Sequence, residues 1–158
     1  MEISVIQWHV LTLYWLAYTF LQSKSRAMEI RMNHRTANPY ESLFSYSRAT
    51  RRGPFIYISG TTSIDPASGQ LLHPESAYKQ ALAIFAEIVR AVEAVGGRKE
   101  DIVRVRMFVT ANEDTQAVGQ ALKESLGDIQ PAATMIVGPR SVMPEMRVEI
   151  EADGIVLQ

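Results

Sequence analysis

Five charged residues alternate with apolar ones in two β-type runs. Arg104 and Arg106 stand in Ile102-Val103-Arg104-Val105-Arg106, and Arg147, Glu149 and Glu151 in Arg147-Val148-Glu149-Ile150-Glu151. On a strand, residues two apart share a face, so each run presents its charges together. Opposite charges on neighbouring strands make ion-pair ladders worth under about 1 kcal/mol per pair. A carboxylate in such a row also has the chemistry to hold a water or move a proton. For Arg104 and Glu151 the ladder is the expected role. For Glu149 both uses stay open.

Other chemistries find little material. The chain has no cysteine, so disulfides, zinc-thiolate sites and thiol nucleophiles are excluded, and no oxidising compartment is needed. His9, His34 and His73 have no second histidine or carboxylate at metal-ligand spacing, so no metal and no cofactor is expected. There is no glycine-rich phosphate loop and no nucleophile elbow, and Ser59 has no base visible in the sequence. The formal net charge is -1, so the chain lacks the broad cationic surface that nucleic-acid backbones demand.

The elements that must position these residues follow from pattern. Residues 44–50 read as a strand, Arg51-Arg52-Gly53 as a turn and residues 54–59 as a second strand rich in β-branched and aromatic residues. Residues 76–95 form the clearest helix, with apolar Tyr78, Leu82, Phe85, Val89, Val92 and Val95 near a 3.6 period, Ser76 as N-cap and Gly96-Gly97 as the stop. A strand at 102–110 precedes a helix at 114–126 that buries Ala117, Val118, Ala121 and Leu122. Strands at 132–137 and 146–156 complete a ββαβαββ order, an α+β fold.

Two helices cover one face of such a sheet. Yet residues 55–58 and 132–137 are apolar on both faces, which calls for cover on both. The expected second cover is another copy of the chain, with the N-terminal segment as the alternative.

That segment, within residues 1–37, reads as a hydrophobic extension outside the domain at 38–158. Residues 3–23 contain no Asp, Glu, Lys or Arg, and as a helix would span roughly 30 Å, about the thickness of a bilayer core. Gln7, His9, Thr12 and Thr19 weaken a membrane span. Lys24, Arg26, Arg31 and Arg35 follow it, so an inserted segment would leave the domain in the cytoplasm. A start at Met28 or Met32, a membrane anchor and a targeting role all stay open. A cytoplasmic location is expected for the domain.

From Asn38 to Val156 the chain resembles the Rid (YjgF/YER057c/UK114) family. The resemblance is carried by Phe55-Ile56-Tyr57-Ile58-Ser59-Gly60, Asp65-Pro66-Ala67-Ser68-Gly69, Gln80, Gly96-Gly97 and Asp101-Ile102-Val103. Arg106-Met107-Phe108-Val109, Pro131-Ala132 and Val148-Glu149-Ile150-Glu151-Ala152 complete it. It implies a chorismate-mutase-like homotrimer with sheets facing inward and sites between subunits. It also implies hydrolysis of small reactive imines or enamines to a carbonyl compound and ammonia.

Carried over by residue, the resemblance makes Glu149 the water-positioning group, with Tyr46 and Ser59 beside it and Gly60 among the substrate contacts. It places Ala133 where active relatives carry a carboxylate-binding arginine, and Gly119 where an asparagine is frequent. A lost charge-assisted contact is worth about 1.5–3 kcal/mol, so imines bearing an α-carboxylate become poorer substrates. Arg140, in Gly138-Pro139-Arg140-Ser141, is either a replacement anchor or a solvated loop residue. The alternatives to a deaminase are a non-catalytic trimeric small-ligand-binding or accessory protein and, third, an endoribonuclease.

Overall fold

The computed structural model describes residues 15, 16, 18 and 31–157. Its elements are β1 (Arg31–His34), α1 (Pro39–Leu43), β2 (Ala49–Arg52), β3 (Phe55–Thr61), α2 (Ala77–Ala94), β4 (Ile102–Val109), α3 (Thr115–Leu126), β5 (Ala132–Val137) and β6 (Val148–Ile155). One six-stranded sheet runs β1-β2-β3-β6-β4-β5. All neighbouring pairs are antiparallel except β4 and β5. From β2 onward this is the expected ββαβαββ order, and the fold is the α+β, chorismate-mutase-like one.

The N-terminal end differs from the sequence reading. The sheet takes in Arg31–His34, which pairs with β2, although these residues were assigned to the extension. The expected strand at 44–50 is a helix end, a loop and only then a strand. Asn38 caps α1, its side chain accepting from the Tyr40 N–H at 3.0 Å, and Pro39 opens the helix. Ser45 then takes a left-handed conformation, φ 57°, which no strand continues through. Tyr46 therefore lies in a loop rather than in a strand. The candidate membrane span falls largely outside the described residues, and no described helix is long and apolar enough to cross a membrane.

α2 buries Ala77, Ala81, Ile84, Phe85, Ile88, Ala91 and Val92, with Ser76 as the cap. The expected stripe is thus rotated: Tyr78, Leu82 and Val89 flank the core and are only partly buried. The helix has two neighbours, the sheet and α3, so its apolar arc is wider than a single stripe. Arg51 closes its C-terminal end by donating to the carbonyls of Val95 at 3.2 Å and Gly96 at 2.8 Å.

The helices cover the face that carries Ile56, Ile58, Val105, Met107, Ile150 and Ala152. The opposite face carries Phe55, Tyr57, Arg104, Arg106, Phe108, Glu149, Glu151 and Asp153 in cross-strand register. There Phe55 and Tyr57 are 49% and 53% exposed, and on β5 Ile136, opposite Phe108, is 45% exposed. The ladder reading holds for Glu151: Arg106 binds it at 2.9 Å and Asp153 at 2.8 Å. Arg104 makes no ion pair among the described residues, and Arg147 turns to Asp114 at 2.8 Å instead.

One buried amide ties the core to the loop that follows β5. The fully buried side chain of Gln80 donates to the carbonyls of His73 at 3.1 Å and Glu145 at 2.8 Å, and accepts from the Arg147 N–H at 2.9 Å. Leucine has a similar volume but no polar atom, so it would orphan the Glu145 carbonyl and the Arg147 N–H, while the His73 carbonyl keeps its bond from the Ser76 N–H at 3.0 Å. An unmet buried group costs about 1–3 kcal/mol. Gln80→Leu is expected to lower unfolding stability by at least about 2 kcal/mol in urea titrations. A loss under 0.5 kcal/mol would show that the loop finds other partners.

Candidate functional site

The site starts from a buried ion pair. Glu41, on α1, is fully buried and accepts from the Thr36 N–H at 2.6 Å, the Thr36 hydroxyl at 2.9 Å and Arg48 Nε at 3.0 Å. Arg48, 4% exposed, uses its other nitrogens on the Gly60 carbonyl at 2.7 Å, the Thr61 hydroxyl at 3.0 Å and the Tyr46 hydroxyl at 3.2 Å. One guanidinium therefore joins the helix, the Tyr46 loop and the end of β3. Its carbon also lies 5.6 Å from the centroid of the Tyr46 ring.

Above this pair is Glu149. It is half-buried on the open face of β6 and, among the described residues, makes no hydrogen bond or ion pair. Burial pushes its carboxyl pKa above the ordinary value, the neighbouring Glu151 charge adds to the rise, and Arg48 offsets part of it. Gly60 makes room for it. The β3–β6 register slips between Ile58 and Thr61. A side chain at residue 60 would overlap Glu149 Oε1 and come within 3.0 Å of its Cδ. Glycine here lets the Glu149 carboxyl lie against the strand, and a side chain in its place would displace that carboxyl.

Two cavities meet at Glu149. A chamber of about 280 Å³ is lined by Tyr46, Arg48, Gly60 and Glu149 together with Tyr40, Phe44, Ile64, Val142 and Met146. A cleft of about 220 Å³ on the other side is lined by Phe108, Pro139, Arg140, Ser141, Glu149 and Glu151. A carboxyl group with a raised pKa, no protein partner and open space on both sides is suited to taking a proton from water and returning it.

The chain thus brings together Tyr46, Gly60, Glu149 and Arg140. Ser59 lines neither cavity, for its hydroxyl donates to the Ser47 carbonyl at 2.8 Å and braces the hairpin. Ala133 pairs with Val105 on the helix-facing side of the edge strand, the face opposite Glu149. Gly119 lies in α3 with open space where a side chain would begin. Within one chain neither residue reaches the Glu149 cavities. Sequence reasoning missed Glu41, Arg48, Tyr40 and Phe44. The Asn38-Pro39 cap was a legible signal for α1, whereas nothing in the pattern marks Arg48 as buried.

Fold and site together define a small α+β domain whose lone carboxyl group is shared by two cavities. The chain belongs to the family described as Endoribonuclease L-PSP, which matches residues 36–156. The YjgF/YER057c/UK114 resemblance holds. A member of that family from Mycobacterium tuberculosis has a crystal structure with TM-score 0.72 and 29% identity, covering 80% of this chain and 100% of that one. The YjgF gene product of E. coli shares the fold at TM-score 0.69 and 23% identity, over 78% of this chain and 98% of that one. A goat (Capra hircus) 2-iminobutanoate/2-iminopropanoate deaminase is 30% identical over 121 residues, 76% of this chain and 86% of the relative.

Removing one member of a buried, hydrogen-bonded ion pair leaves the other charge uncompensated, at a cost of about 3–5 kcal/mol. Glu41→Ala is expected to lose that much in denaturant unfolding. The Glu41→Ala and Arg48→Met effects should be strongly non-additive in a double-mutant cycle. Independent effects would mean that the pair does not organise the site.

Proposed function

We propose that the protein hydrolyses small reactive imines or enamines, releasing a carbonyl compound and ammonia. The observation that carries this reading is the unpaired, half-buried Glu149 between two cavities. The similarity to an imine deaminase supports it.

The chemistry balances with one carboxylate and one water. Glu149 takes a proton as the water oxygen bonds to the iminium carbon, and the C=N π pair moves to nitrogen. The neutral carbinolamine then receives that proton on nitrogen. Its C–N bond breaks as the hydroxyl proton returns to Glu149, leaving the carbonyl. Ammonia departs with this last proton as ammonium. Tyr46 lines the same chamber, its hydroxyl fixed by Arg48. Arg140 stands at the second cleft, placed to hold an anionic group on the substrate in the role that Ala133 cannot fill.

The partially exposed Phe55, Tyr57 and Ile136 support assembly into a homotrimer through the open sheet face. Sedimentation at micromolar concentration is expected to give three times the chain mass, and Tyr57→Arg to shift it toward one. A native chain that sediments as a monomer would remove the trimer. It would leave the Glu149 cavities in place, because each is lined within one chain.

Catalysis is expected to need the ionised carboxylate. The acid limb of kcat/KM should therefore fall as pH drops through the Glu149 pKa, with a midpoint above the ordinary glutamate value of about 4.5. Stability moves the other way. A carboxyl whose folded pKa is raised favours folding below its unfolded pKa, and that contribution is lost as pH rises through the folded value. Glu149→Gln is thus expected to keep or raise Tm at pH 7 while lowering ammonia release by about 10²-fold or more. Turnover unchanged in that variant would overturn the mechanism. Ligand binding with no ammonia release from any imine would instead make the protein a ligand-binding one.

A further inference from the structure

We infer that the Tyr40–Phe44 end of the chamber is a specificity subsite for a single-ring aromatic arm on the substrate. The inference rests on the hydrolase reading above for its reaction, but on a different part of the cavity for its evidence. Tyr40 and Phe44 stand one turn apart at α1, with ring planes 2° apart and centroids 6.3 Å apart. They form one wall of the chamber, and Val142 and Met146 form part of its rim.

Phe44 is 68% exposed and Val142 87% exposed, so two apolar side chains at this end lack cover from the chain's own core. An incoming ring would cover them and find an aromatic face suited to offset stacking. The occupant is small. At about 280 Å³ the chamber lies just under the usual range for ligand pockets, roughly 300–1,000 Å³, so it admits a single ring and little more.

The chamber lining divides into a polar cluster, with Arg48 bonded to Tyr46 and to the Gly60 carbonyl and Glu149 lying against Gly60, and a stacked aromatic pair, Tyr40 and Phe44. A substrate with its imine carbon at Glu149 therefore extends its side chain toward Phe44. A methyl side chain would leave that end unfilled. A benzyl side chain would reach it. Hydrophobic subsites of this kind discriminate by roughly tenfold or more for each sizeable apolar increment.

The test compares imines made in situ from phenylalanine and from alanine by an amino-acid oxidase, using the full chain. The phenylalanine imine is expected to be hydrolysed with a kcat/KM at least about tenfold higher. Phe44→Ala, and separately Val142→Asp, should bring that ratio close to one. If both imines are turned over with a ratio near one in the native protein, the subsite is wrong and the hydrolase reading stands. If neither is turned over, imines bearing an α-carboxylate are not substrates, and calorimetric binding of phenylpyruvate against pyruvate decides the subsite. Tighter phenylpyruvate binding that Phe44→Ala weakens supports it. Equal or absent binding of both overturns it.

Discussion

A buried guanidinium and its carboxylate partner organise this molecule. Burying two opposite charges stabilises only when hydrogen bonds meet their remaining donors and acceptors. Arg48 spends four of its N–H groups on Glu41, Gly60, Thr61 and Tyr46. Glu41 takes three donors in return. The partners lie on α1, in the loop after it, at the end of β3 and in the segment before α1. No single helix or strand contains them all. The pair therefore acts as a joint, and the floor of the chamber is the surface of that joint.

The joint also explains why the end of β3 leaves strict ladder register. A regular strand would carry a side chain at residue 60 against the neighbouring β6. The slip, the glycine and the Arg48 contact to the Gly60 carbonyl act together. They bring a bare backbone close to the Glu149 carboxyl, so Glu149 lies over the strand instead of being pushed off it. Gln80 works on the other side by holding Glu145 and Arg147, which fixes where β6 begins. The geometry around Glu149 depends on backbone contacts made by two buried polar side chains.

Much of this fold was legible in the sequence because its regular elements obey simple periods. The two long helices, four of the sheet strands and the α+β order follow from apolar spacing and from Ser76 and Gly96-Gly97. The first strand was misplaced because Phe44-Ser45-Tyr46 alternates like a strand, while the turn at Ser45 depends on a helix end that apolar periodicity does not register. The rotated stripe of α2 reflects a second neighbour, α3, which spacing along one helix cannot reveal. At the site, Tyr46, Gly60 and Glu149 were found by resemblance and lie together. Arg48 was not found, for a basic residue between Ser47 and Ala49 looks like any exposed one. Only tertiary structure shows that Glu41 waits for it.

That same pairing sets the chemistry of Glu149. An arginine near a carboxylate ordinarily pulls its pKa down, and an unpaired Arg48 in this chamber would do so strongly. Here burial dominates, Glu151 reinforces it, and the pull of Arg48 is the smallest of the three effects. Arg48 is in direct contact with Glu41 at 3.0 Å and gives its other N–H groups to Gly60, Thr61 and Tyr46, so it makes no hydrogen bond to Glu149 and acts on it only through space. Glu149 is thereby left easier to protonate than a surface glutamate, although a buried cation lies in the same chamber. The role proposed for Glu149, taking a proton from water and giving it back, is favoured by that condition. The buried pair thus shapes the chamber floor and also keeps its guanidinium out of direct contact with Glu149, the carboxyl group among the described residues that lines both cavities.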